Sequence, residues 1–215
     1  MRRRAEGRPV IQVGLTGNIG SGKSTVAAVW TRAGIPVVSA DDLAREAVRP
    51  GSTEHARLME IFGPGPFRPD GSLDRGAMRQ KILDDPSAKR RLEEVLHPKI
   101  RALRKQRVER ERARGCTAVV SEVPLLFEAG VEDEFDVVVV VHAPERLRER
   151  RLVERRGLDP GEARRLIAQG GDPEEKLRRA DHVIVNDGGL AALEAASLAL
   201  LDRLGVRPAR EGCDG

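Results

Sequence analysis

The chain has no tyrosine, four phenylalanines and one tryptophan, an aromatic content of 2%. Single-stranded nucleic acid is held by stacking bases on aromatic rings, so this chain offers few platforms for it. Cysteine is scarce too. Cys116 and Cys213 are the only two, with no metal-ligand spacing and no disulfide framework, and both are expected to be free thiols. No apolar run approaches the roughly 20 residues of a membrane-spanning helix. Residues 1–9 are basic but lack the apolar stretch of a signal peptide, so they read as a short disordered leader. A cytoplasmic protein without a membrane partner is expected.

What is abundant is charge of both signs: 33% of the residues are charged, against 40% hydrophobic, with a net charge of +4. Runs such as Glu109-Arg110-Glu111-Arg112 mix the signs as solvated helix faces do, which argues against a nucleic-acid partner. The small positive balance favours an anionic small substrate. At 215 residues there is room for one substantial core with a region inserted into it.

Gly17-Asn18-Ile19-Gly20-Ser21-Gly22-Lys23-Ser24 fits G-x-x-x-x-G-K-[ST] at every fixed position. Residues 10–16 read as a buried strand entering this loop, and Ser24 to Trp30 as the helix leaving it. Glycines bring successive N–H groups close to a polyphosphate, and the helix dipole points its positive end at the same anion. The expected nucleotide-binding set is Asn18, Ile19, Gly20, Ser21, Gly22, Lys23, Ser24 and Thr25. Within it Lys23 reaches the β- and γ-phosphates and the Ser24 hydroxyl ligates magnesium.

Five β-branched segments, 10–16, 36–39, 117–123, 136–142 and 182–186, are apolar on both faces, as parallel strands covered by helices must be. The expected fold is α/β, a three-layer phosphate-loop kinase fold: a parallel five-stranded sheet with an inserted helical substrate-binding region and a helical lid. The insert is placed at about 44–115, broken by Gly63-Pro64-Gly65-Pro66 and Asp70-Gly71-Ser72, and the arginine-rich lid at about 144–180. One domain spans 10–205, and 206–215 read as a frayed tail.

Asp41 and Asp42 follow the second strand. A carboxylate at a strand's carboxyl end beside the phosphate loop suits either a base for an attacking hydroxyl or a holder of magnesium through water, with Asp41 as the catalytic residue and Asp42 as the helix cap. Glu122 ends the third strand, where an acidic residue holds magnesium or its waters. Leu125, Leu126 and Phe127 read as core. Arg150, Arg155, Arg156 and Arg165 are candidates to neutralise the transferring phosphoryl group, with Arg150 taken as the catalytic one. Lys176 reads as an exposed surface lysine. Asn186 reads either as an adenine or ribose contact or as a turn residue, and His97-Pro98 as the start of a long helical run, with His97 in the substrate region only.

The ordered set of motifs resembles the dephospho-coenzyme A kinase family from about Ile11 to about Leu204. It comprises the Gly14–Thr25 loop, Ala40-Asp41, Asp70-Gly71-Ser72-Leu73-Asp74-Arg75, Leu96-His97-Pro98, Val123-Pro124-Leu125-Leu126-Phe127-Glu128, Ala168-Gln169, Glu174-Glu175-Lys176 and Ala180–Asn186. The resemblance implies ATP-dependent phosphorylation of the ribose 3′-hydroxyl of dephospho-coenzyme A, with magnesium. Asp41 is then the base, and Thr16, Asp41, Arg75, His97, Glu122 and Leu125 form the acceptor set. A monomer or weak homo-oligomer is expected. Several positions depart from the family's pattern: Ser39 stands where a first Asp is common, Val185-Asn186-Asp187 replaces Asp-Asn-Ser, and Gly170-Gly171 follows Gln169. The rival readings are a kinase for another small hydroxyl or nucleoside monophosphate, and a nucleotide-switch ATPase.

Overall fold

The computed structural model describes residues 10–207, so the expected leader at 1–9 and the tail from 208 onward lie outside the described residues. The chain divides into two compact units. The first unit, up to Val38 and again from Val108, carries the sheet. Strands β1 (Ile11–Thr16), β2 (Val37–Ser39), β3 (Ala118–Glu122), β4 (Val137–His142) and β5 (His182–Val185) lie in the order β2-β3-β1-β4-β5. The pairings of β1 with β3, β1 with β4 and β4 with β5 are parallel. All five expected strands form, each within a residue of its expected ends.

Alternation along the central strands explains why both faces must be covered. Val139 and Val141 of β4 pack with Val13, Leu15, Trp30 and Leu200, on the side of α1 (Lys23–Arg32) and α9 (Leu190–Leu204). Val138 and Val140 turn the other way, toward Leu126, Phe127 and Phe135. Trp30 is fully buried, and its indole N–H donates to the Ser197 carbonyl at 3.0 Å. The onset of the expected frayed tail is instead pinned: Val206 is buried in the core, and Arg207 exchanges two hydrogen bonds with Thr117.

The second unit, Ser39–Arg107, is helical and overlaps most of the segment 44–115 read as the insert. It holds α2 (Ala40–Ala47), α3 (Thr53–Phe62), α4 (Arg75–Asp84) and most of α5 (Pro86–Ala113) around its own core of Leu58, Phe62, Met78, Ala88 and Val95. Side-chain caps start three of these helices: Ser39 for α2, Ser52 for α3 and Asp74 for α4. Asp42 is therefore not the cap of α2. The hydroxyl of Ser39 accepts the Asp42 N–H, and the Asp42 carboxylate pairs with Arg45 one turn on. That work suits the aspartate common at position 39, since Ser and Asp cap equally well. Pro98 lies inside α5 rather than at the start of a helix, so the run begins at Pro86, eleven residues before His97.

α6 (Glu145–Arg156), α7 (Pro160–Ala168) and α8 (Pro173–Arg179) occupy the arginine-rich segment of the first unit. Leu152, Ala163 and Ile167 pack together with Ile19 of the glycine-rich loop. Among the described residues no helix is long and apolar enough to cross a membrane.

Candidate active site

The loop between β1 and α1 takes a shape that only glycine permits at three of its positions. Gly17, Gly20 and Gly22 all have positive φ. A Cβ on Gly17 would stand 2.3 Å from the Val141 carbonyl oxygen, and one on Gly22 would stand 2.3 Å from Asn186 Nδ2. Ser21 N–H donates to the Asn18 carbonyl at 3.1 Å, and the Gly22 carbonyl starts α1 by accepting from Thr25 and Val26. Lys23 and Ser24 thus open the helix, at the end where the positive pole of its dipole favours an anion.

Glu122 is the last residue of β3 and lies in register with Leu15. The Ser24 hydroxyl donates to its Oε1 at 3.3 Å, which brings the two expected magnesium ligands together. Both are hard oxygen donors. Among the described residues no group of three or more His, Cys, Asp or Glu is placed to hold a metal. Two oxygens alone would leave a magnesium ion most of its shell to fill from other donors.

Two braces hold the loop. On one side Asn186, buried just beyond β5, donates Nδ2 to the Ser21 carbonyl at 2.7 Å. Its Oδ1 and its carbonyl both accept from Arg151, which also donates to the Gly20 carbonyl at 3.3 Å. Asn186 is thus more than a turn residue, because its side chain is committed to the loop backbone. On the other side Asn18 Nδ2 donates to the Gly171 carbonyl at 3.2 Å. The adjacent Gly170 carbonyl accepts from Lys176 Nζ at 3.0 Å, and Lys176 pairs with Glu128 at 2.8 Å.

Several expectations are corrected by these contacts. Lys176 is buried rather than exposed, since Glu128 and the Gly170–Gly171 turn supply a counter-charge and an acceptor. Arg150 is not brought to the loop: it is exposed and paired with Glu154, while its neighbour Arg151 makes the loop contacts. Burial, with Arg155 and Arg150 alongside, lowers the pKa of Arg151 from the usual guanidinium value. Arg155, Arg156 and Arg165 are exposed. Thr16 has no exposed surface and its hydroxyl donates to the Pro124 carbonyl, so it ties the loop to the segment after β3 rather than facing a substrate. Leu125, read as core, is 54% exposed, whereas Leu126 and Phe127 are buried.

Within the helical unit the structure brings Asp41 and Arg75 together. Asp41 is exposed in the first turn of α2, and Arg75, the first residue of α4, donates to its carbonyl at 3.3 Å. His97 is half-buried on α5. Cys116 is a buried free thiol whose pKa is raised by burial and by Glu111, so it is poorly suited to act as a nucleophile. Cys213 lies outside the described residues.

Lys176→Met is expected to lower unfolding stability by about 1–3 kcal/mol, because it leaves the Glu128 carboxylate and the Gly170 carbonyl without their donor. Arg178, which pairs with Asp172 at 3.9 Å while 68% exposed, is the control. Arg178→Met should stay within about 0.5 kcal/mol in the same urea titration.

Residues 11–192 match the family model of dephospho-CoA kinase. The dephospho-CoA kinase of Anaeromyxobacter dehalogenans is 43% identical over 189 residues, covering 88% of this chain and 90% of that protein. That of Symbiobacterium thermophilum is 42% identical over 201 residues, covering 92% and 84%. Among solved structures, TT1252 from Thermus thermophilus superposes with a TM-score of 0.79 at 37% identity, covering 92% of this chain and 99% of that one. The dephospho-CoA kinase of Campylobacter jejuni gives a TM-score of 0.68 at 27% identity, covering 90% and 96%. With its phosphate loop, its sheet order and this extent of matching, the chain belongs to the dephospho-CoA kinase family.

Proposed function

We propose that this chain transfers the γ-phosphoryl group of ATP to the 3′-hydroxyl of the ribose in dephospho-coenzyme A, giving coenzyme A and ADP, and that it does so in the cytoplasm. The observation that carries this reading is the phosphate loop itself, braced on both sides and opening onto Lys23 and the Ser24–Glu122 pair, in a chain matched to the family over residues 11–192.

In the transfer the 3′-oxygen forms a bond to the γ-phosphorus as the bond from that phosphorus to the β,γ-bridging oxygen breaks. The hydroxyl proton goes to the Asp41 carboxylate, and the electron pair of the broken bond leaves with ADP. Asp41 suits this role because it is exposed two residues past the carboxyl end of β2, with Arg75 on its backbone. Lys23 and the loop N–H groups hold the β- and γ-phosphates. Ser24 and Glu122 would hold magnesium, which neutralises phosphate charge when bound. Arg75, His97 and Leu125 are the acceptor-side residues, and α6 to α8 act as the lid over the nucleotide, with Arg151 hydrogen-bonded to the loop.

Incubating the pure protein with ATP, magnesium and dephospho-coenzyme A should yield ADP and coenzyme A in equal amounts by mass spectrometry. ADP formed equally fast without the acceptor would instead favour a nucleotide-switch ATPase. Phosphorylation of a different small hydroxyl, with dephospho-coenzyme A untouched, would place the chain with another acceptor.

A further inference from the structure

Arg148 lies on the same face of α6 as Arg151, one turn earlier, and is only 3% exposed. Its backbone lies against the phosphate loop: a Cβ on Gly20 would stand 3.0 Å from the Arg148 carbonyl oxygen. Arg148 lines a small cavity beside the loop together with Asn18, Ser21, His142 and Lys176. Lys176 is already neutralised by Glu128 at 2.8 Å. Arg148 is not. Its one acidic partner among the described residues is Glu145, 3.8 Å away with a side chain that is 69% exposed, and Nη1 has no hydrogen-bond partner.

A buried guanidinium with so little counter-charge is costly, and an unbranched apolar side chain of similar volume would occupy the same place at lower cost. Burial acts on it in the expected direction and lowers its pKa, opposed only by Glu145. A hydrogen-bonding neutral group at Nη1 would satisfy the donor and leave the charge uncompensated. What compensates a charge beside a phosphate loop is the anion that the loop binds.

We propose that Arg148 is a positioning residue for the nucleotide's polyphosphate, a guanidinium left short of counter-charge beside the loop whose missing anion is the phosphate chain. It acts through the loop at Asn18, Gly20 and Ser21 and does not touch the nucleotide. The inference rests on the reading of the loop as an ATP cradle, and it deepens that reading by making phosphate number, rather than the base, what Arg148 senses.

The test is calorimetric titration of ATP, ADP and AMP into the wild-type protein and into Arg148→Met, with melting of both proteins free of nucleotide. The variant should lose about tenfold in ATP affinity, less for ADP and least for AMP. Its nucleotide-free melting temperature should be unchanged or higher, and Arg148→Lys should recover most of the ATP affinity. An equal loss for all three nucleotides would mean that the loop had merely been deformed, and would overturn the proposal. So would a lower nucleotide-free melting temperature with ATP affinity retained, which is the mark of a structural ion pair. Glu145→Gln provides a second arm that does not depend on Arg148→Met folding. Removing the partial counter-charge should tighten ATP binding about twofold, and unchanged or weaker binding would overturn the proposal. Wild-type protein that bound no ATP would refute the cradle reading itself, and this inference with it.

Discussion

Asp41→Asn is expected to reduce turnover of dephospho-coenzyme A by about 10³-fold while leaving KM for ATP within about twofold, because a positioned base contributes on the order of 10²–10⁴ to such a step. The substitution keeps the shape of the side chain and removes only its capacity to take a proton. Asp41 is exposed in the first turn of α2, and the Ser39 cap carries the local hydrogen bonding. The fold should therefore lose no more than about 1 kcal/mol, the value of an acidic residue near a helix start. Steady-state kinetics with both substrates varied, beside a melting curve, separates these quantities. A folded Asp41→Asn protein with parental turnover would show that another group takes the proton.

Lys23→Ala should be at least as severe, with kcat lowered about 10³-fold by loss of the charge that follows the γ-phosphoryl group into the transition state. Binding of ATP should weaken much less, because the loop N–H groups remain. Lys23→Arg is expected to restore little, since a planar fork does not fit where a compact ammonium reaches between two phosphates. Single-turnover measurements at saturating ATP read the chemical step directly, and an unaltered rate there would remove Lys23 from the mechanism.

The sheet was legible because its strands are runs of β-branched residues that cannot be mistaken for solvated helix. Val137 to Val141 marks β4 with no help from context. The phosphate loop was legible for a different reason, namely that its shape depends on glycines at fixed offsets. Harder to read was anything that depended on helical phase. Arg148, Arg150 and Arg151 look alike in a basic run. Only with α6 starting at Glu145 do positions 148 and 151, three apart, fall on the loop side and 150 on the solvent side. The burial of Lys176 was hidden by its company, because Glu174-Glu175-Lys176 has the look of a surface. The residue that neutralises it, Glu128, is far away in the chain. Asn186 stands out in the sequence by its place at the end of a strand. Its partner, the Ser21 carbonyl, is a backbone group that no side-chain pattern reveals.

The position of β1 at the centre of the sheet constrains the order in which the molecule can be made. Its neighbours begin at Ala118 and Val137, so the first strand to leave the ribosome has no edge to join until more than a hundred further residues have been added. At ordinary rates of synthesis that wait is roughly 5–20 s. By its end every residue of Ser39–Arg107, whose core is drawn from its own helices, has been added, whereas the strand that leads into the glycine-rich loop is only then offered its first partner. The capacity to grip a nucleotide therefore arrives late, after β4 has been threaded in beside β1, and a chain interrupted before that point carries the signature loop without any use for it.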